Sequence, residues 1–116
     1  MSIQKWSDSI TVVELADDPL FTDEMNALNE AVEKKPVNVV LNFSGVSFIN
    51  SSNLARLLRL RKSMISSGRM LTLCGVSTQV WGVFLVTGLD KIFEYTKDIT
   101  TALAMMQMTP SPSRKG

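Results

Sequence analysis

Histidine is absent from the 116 residues, and there is a single cysteine. The first absence excludes a Ser-His-Asp triad, a histidine general base and any zinc site built from Cys and His. The second means that no disulfide closes within the chain. Cys74 ends the apolar stretch Met70-Leu-Thr-Leu-Cys74, which reads as an interior strand, so it is expected to be a small core residue rather than a reactive thiol. No Gly-rich phosphate-cradling motif occurs. No apolar run approaches the roughly 20 residues that span a bilayer. The start, MSIQKWSDSI, lacks the basic-then-apolar order of a signal peptide. These absences predict a cytoplasmic chain with no membrane span, no cofactor and no metal.

Acidic residues are missing locally. From Lys34 to Leu89 there is no Asp or Glu, while Lys34, Lys35, Arg56, Arg59, Arg61, Lys62 and Arg69 all fall there. The overall charge is nevertheless +1, so the rest of the chain is acidic. Such a balance argues against bulk binding to nucleic acid. The basic stretch reads either as a solvated face balanced by acidic neighbours or as a docking surface for an acidic protein. Asp17, Asp18, Asp23 and Glu24 form an acidic cluster that reads as a loop and a first helical turn, not as a paired acid/base site. Enzymatic activity is not expected.

What is present supports one packed domain. Hydrophobic residues make up 45% of the chain and charged residues 20%, outside the disordered range. Ile3–Trp6 and Ile10–Leu15 read as short strands around a polar turn. Thr22 is placed to cap a first helix, with Met25, Leu28, Ala31 and Val32 on its apolar face and Pro36 behind its end. Val37–Phe43 is a nearly continuous apolar, β-branched run of the kind covered on both faces. A second helix follows Ser51 or Ser52. Leu54, Leu57, Leu58, Met64 and Ile65 are assigned to its buried face, and Gly68 to its C-terminal cap. A strand at Met70–Cys74, an apolar helix at Thr78–Thr87 and a strand at Ile92–Tyr95 come next. A last helix, opened by Asp98 or Thr100, runs to about Met106.

The order ββαβαβαβα predicts an α/β fold with a mostly parallel central sheet and right-handed crossovers. Residues 1–107 form the expected domain. Residues 108–116, which include the Pro/Ser-rich TPSPSRKG, form an expected disordered tail. Trp6 and the first strand lie at a sheet edge that could pair, so the state expected is a monomer or a weak homodimer.

The polar knot Ile49-Asn50-Ser51-Ser52-Asn53 sits between a strand and a helix, at the carboxyl end of the sheet, where open α/β folds place function. Backbone N–H groups at a helix start are unpaired, and the macrodipole there favours negative charge. The two hydroxyls therefore suit a helix cap, an anion or a phosphorylated serine.

The segments F-S-G-V-S-F-I-N-S-S-N-L and V-F-L-V-T-G-L-D-K-I-F-E, with the strand ending Leu-Cys-Gly-Val between them, resemble a STAS domain over Ile3 to Met106. This is the family of sulfate-transporter and anti-sigma-factor-antagonist domains. The resemblance implies a protein that binds an anti-sigma factor, itself a serine kinase, and so releases a sigma factor. Phosphorylation of a serine at the start of the second helix ends that binding. It implies Ser52 as the phosphoacceptor, with Ser51 as second choice and helix cap, and Asn50, Ser51, Asn53, Arg56 and Arg59 as partner-binding residues. A phosphatase is a further implied partner. The family also contains unphosphorylated scaffold subunits of signalling complexes and of membrane transport machines, which is the alternative role. The family's loop reads D-S-[ST]-G-[LI]; here Asn50 replaces its Asp and Asn53 its Gly. The first-hairpin exit, A-D-D-P, also departs from the family's usual Gly-x-Leu-Asp.

Overall fold

Val39, Val40 and Leu41 are wholly inaccessible to solvent, which only a strand covered on both faces achieves. They lie in β3 (Asn38–Gly45), the centre of a five-stranded sheet. The computed structural model describes residues 3–108. The other strands are β1 (Ile3–Lys5), β2 (Ile10–Ala16), β4 (Leu71–Cys74) and β5 (Glu94–Thr96). Their spatial order is β1-β2-β3-β4-β5; β1 runs antiparallel to β2 and every other pair is parallel. The helices are α1 (Leu20–Lys34), α2 (Ser51–Ser67), α3 (Thr78–Thr87) and α4 (Ile99–Met108), with a 3-10 turn at Leu89–Lys91. The expected α/β class, element order and mostly parallel sheet are all present.

Period-two alternation divides the core between the sheet's faces. Val13, Leu15, Val39, Leu41, Phe43 and Leu73 point to one side, where they meet Phe21, Met25 and Leu28 of α1, Leu57, Leu60 and Met64 of α2, and Val80 and Phe84 of α3. Ile10, Val12, Val40 and Cys74 point to the other, under Ala102 and Met106 of α4. Phe43 sits edge-on to Phe21 at 5.9 Å and to Phe84 at 6.0 Å between ring centres, so one aromatic side chain ties α1 and α3 to the central strand.

Several boundaries and faces differ from expectation. α1 begins at Leu20, so Thr22 is inside the helix and Asp18 accepts its N–H. Phe21 is buried on α1, whereas Ala31 is exposed. The buried face of α2 is Asn53, Leu57, Leu60 and Met64, while Leu58 is 40% and Ile65 61% exposed. The i, i+4, i+7, i+11 spacing of the true face is as regular as the expected one; packing against α1 and the sheet chooses between two adjacent apolar stripes. β5 starts two residues late because Leu89–Lys91 form the 3-10 turn. α4 continues to Met108, so the expected tail lies outside the described residues except for Met108 itself. Gly68 ends α2 in the left-handed region (φ 69°), as its position predicts.

Among the described residues no helix is long and apolar enough to cross a membrane.

Candidate functional site

β2 and β3 stay paired to their ends, and the loops that follow them lie against each other. The register slips between Glu14 and Ala16, so that Glu14 pairs with Asn42 but Ala16 with Gly45. Such a bulge bends the strand it sits on. Gly45 permits the close approach: a Cβ there would stand 2.9 Å from the Leu15 carbonyl oxygen. The effect is to bring Ala16-Asp17-Asp18-Pro19 alongside Val46–Asn53.

Two adjacent carboxylates then organise the loops. Asp17 accepts from Ser47 twice, from its N–H at 2.9 Å and its hydroxyl at 2.6 Å, and from the Phe48 N–H at 3.3 Å. The bonds to Ser47, its hydroxyl first, hold the Asp17 carboxyl below its ordinary value. Asp18 faces both helix starts. Its Oδ1 accepts from the Thr22 hydroxyl at 2.7 Å and the Thr22 N–H at 2.9 Å. Its Oδ2 accepts from Asn53 Nδ2 at 2.8 Å and Asn50 Nδ2 at 3.4 Å. Its pKa is likewise lowered, chiefly by the Thr22 hydroxyl.

α2 starts on Asn50, not on a serine. Asn50 is extended (φ −105°, ψ 174°) and its Oδ1 accepts the Asn53 N–H at 2.8 Å. The expected capping role of Ser51 therefore belongs to Asn50, because Ser51 already has helical geometry and a cap must precede the first helical residue. Ser51 and Ser52 are both exposed on the first turn, and among the described residues no protein group hydrogen-bonds either hydroxyl. Asn53 is the opposite: it is buried, and its Oδ1 lies 3.3 Å from Arg56 Nη1 and 3.2 Å from the Thr22 hydroxyl.

Asn50, Ser51, Ser52 and Asn53 are thus gathered at one corner, with Arg56 one turn further along α2. Arg56 also donates to Asn26 Oδ1 at 3.0 Å. Arg59 lies lower on the helix and is committed to α1 through a two-point pair with Glu33, at 2.8 and 2.9 Å. That pair lowers the Glu33 pKa and raises that of Arg59. The basic stretch is therefore in part balanced by acidic neighbours. Asp17, Asp18 and Thr22 were not singled out as site residues from sequence. The signal lay in A-D-D-P, whose departure from the family pattern accompanies the departures at Asn50 and Asn53.

A family model of the STAS domain matches residues 8–103. The fold is similar to that of a putative anti-sigma factor antagonist from Thermotoga maritima (TM-score 0.73, 22% identity, covering 89% of this chain and 92% of that one). It is similar to the anti-sigma factor antagonist SpoIIAA in its unphosphorylated form (TM-score 0.79, 17% identity, covering 94% and 97%). It is also similar to a sulfate transporter family protein from Wolinella succinogenes (TM-score 0.74, 19% identity, covering 90% of each).

Proposed function

The chain belongs to the STAS domain family, and from that premise we propose that it is an anti-sigma factor antagonist, a protein-binding switch in the cytoplasm and not an enzyme. In its unmodified form it binds an anti-sigma factor that is also a serine kinase, and a sigma factor is released. The kinase phosphorylates Ser52, and the modified form no longer binds; a phosphatase restores it.

The observation that carries this reading is the Ser52 hydroxyl: exposed, without a hydrogen-bond partner among the described residues, and on a helical turn held in place by its neighbours. A kinase needs an accessible hydroxyl, and a switch needs a domain that survives the modification. Phosphate brings a charge of about −1.5 to −2 and three acceptor oxygens. At a helix N-terminus the fold tolerates that charge. In a packed interface the same group adds bulk and desolvation cost, which expels the partner. Asn50, Ser51 and Asn53 form the floor of the contact, and Arg56 and Arg59 flank it.

A second reading is a scaffold or transporter-accessory subunit without phosphorylation. It is favoured by the packing of Asn53 into the corner, which makes the loop part of a rigid surface. Affinity purification from cells with quantitative mass spectrometry separates the two. An ATP-binding serine kinase that co-purifies with the unmodified chain and is lost from the Ser52-phosphorylated chain supports the switch. A stable high-mass or membrane-bound assembly that is indifferent to Ser52 replaces it with the scaffold.

A further inference from the structure

α2 has no acidic residue in its own first turn, although its unpaired N–H groups and macrodipole favour a negative charge there. Asp18 supplies that charge from outside the helix. Its Oδ2 is held over the α2 start by the side-chain amides of Asn53 and Asn50, at 2.8 and 3.4 Å. Its Oδ1 holds the first turn of α1 through Thr22. One carboxylate therefore joins two helix starts. The Thr22 hydroxyl has a single proton, and the shorter contact, 2.7 Å to Asp18 against 3.2 Å to Asn53 Oδ1, assigns it to the carboxylate. The Asn53 oxygen is left to Arg56 Nη1 at 3.3 Å.

A phosphate on Ser52 brings a second, stronger anion to the same helix end, beside Asn53. Asp17, next to Asp18 in the chain, adds a further like charge, although its own oxygens stay with Ser47 and Phe48. Both anions would draw on the N-terminal dipole of the one helix, and like charges at one helix end repel.

We propose that Asp18 is the positioning residue of the Ser52 loop: it serves as the built-in anion of the α2 N-terminus, and a phosphate on Ser52 displaces it and releases the Asp18–Thr22 segment. The modification is then read out twice, at the serine itself and at the start of α1. The proposal rests on Ser52 being the modified residue and adds a second moving part to it.

The test installs phosphoserine at position 52 during translation, so that no kinase is required, in the full chain and in its Asp18→Asn variant. Amide exchange at Thr22 and the Tm are measured with and without the phosphate. In the native background the phosphate is expected to speed Thr22 exchange roughly fivefold, the order of one lost hydrogen bond, and to lower the Tm. In the Asp18→Asn background exchange stays constant, and the phosphate raises the Tm by about 4 °C through the helix dipole. Equal effects of the phosphate in the two backgrounds overturn the proposal, since a merely structural Asp18 would not change their sign. Should Asp18→Asn not fold, Asn53→Gly takes its place. It leaves the charge but removes the amide that holds it, and the phosphate's effect on Thr22 exchange is expected to fall below about twofold; an undiminished effect overturns the proposal. A kinase that labels some other residue would defeat the switch reading while leaving this coupling measurable on its own.

Discussion

Asp18 and Asn53 are joined across 35 residues of chain: the carboxylate Oδ2 accepts the Asn53 side-chain amide at 2.8 Å. By the resemblance in sequence, Asn53 stands where the family's loop carries Gly, and Asp18 lies in the A-D-D-P exit that also differs from the motif expected there. The departures at the serine loop and at the hairpin exit are thus the two halves of one contact. Gly in place of Asn53 would leave Asp18 over α2 with one weak amide contact, from Asn50.

Asn50, not Ser51, caps α2, so alanine substitutions at the two positions separate. Asn50→Ala leaves the Asn53 N–H without its acceptor and is expected to cost about 1 kcal/mol, a common value for a lost N-cap. Ser51→Ala removes a hydroxyl with no partner among the described residues and is expected to stay within about 0.5 kcal/mol of the parent. Urea denaturation of both variants decides it. A larger loss for Ser51→Ala would return the cap to the serine.

The two apolar stripes of α2 make a similar pair. Leu57 is fully buried and touches the sheet core, so Leu57→Ala is expected to destabilise by about 2–5 kcal/mol through lost transfer energy and a cavity. Leu58, beside it in sequence and 40% exposed, is expected to cost less than about 1 kcal/mol. Comparable losses at the two positions would mean that the helix is rotated from the orientation described.

Acid should weaken the domain in a definite window. Asp17, Asp18, Glu33 and Asp98 all have folded-state pKa values below their ordinary ones, from hydrogen bonds with Ser47, Thr22, Arg59 and Thr101 respectively. A depressed carboxylate contributes stability that is complete above its unfolded pKa and is lost as pH falls through its folded one. Glu24 has the opposite sign: burial raises its pKa, so its contribution is complete in acid and is lost as pH rises through the folded value. Four groups outnumber one. The urea midpoint is therefore expected to hold from neutral pH down to about pH 4, near the unfolded carboxylate values, and to fall below that. The fall is expected to be shallower in Asp18→Asn. A midpoint that rises on going below pH 4 would contradict the assignment.

Cys74 is buried under α4, and burial pushes its thiol up to about 11. The reactive species is the thiolate. Alkylation at pH 8 is expected to be negligible in the folded chain and rapid in denaturant. Fast labelling of the folded protein would show that α4 opens from the sheet.

The fold was readable because its signals are local and repeated. The nearly continuous apolar run through Val37–Phe43 announced a central strand, and Gly68 marked the end of α2, where it has a positive φ. The position of the serine loop was equally readable, from a strand, a polar knot and a helix in succession. The choice between Leu58 and Leu60 was not, since Leu58 shares a stripe with Leu54 and Ile65 and Leu60 shares one with Leu57 and Met64, and only the neighbours of α2 distinguish the two. The role of Asp18 was hidden for a related reason. A carboxylate after a short strand looks like any loop residue until the β2–β3 bulge and Gly45 bring it against Asn53.

Everything proposed for the loop turns on Ser52 being the residue that a partner kinase modifies. The direct measurement is site-resolved mass spectrometry of the chain after incubation with its co-purified kinase and ATP, run beside the Ser52→Ala variant. The expected result is phosphate on the Ser51/Ser52 peptide at Ser52, no incorporation into Ser52→Ala, and loss of kinase binding in step with modification. Undiminished labelling of Ser52→Ala, or binding unaffected by phosphate on Ser52, would contradict it.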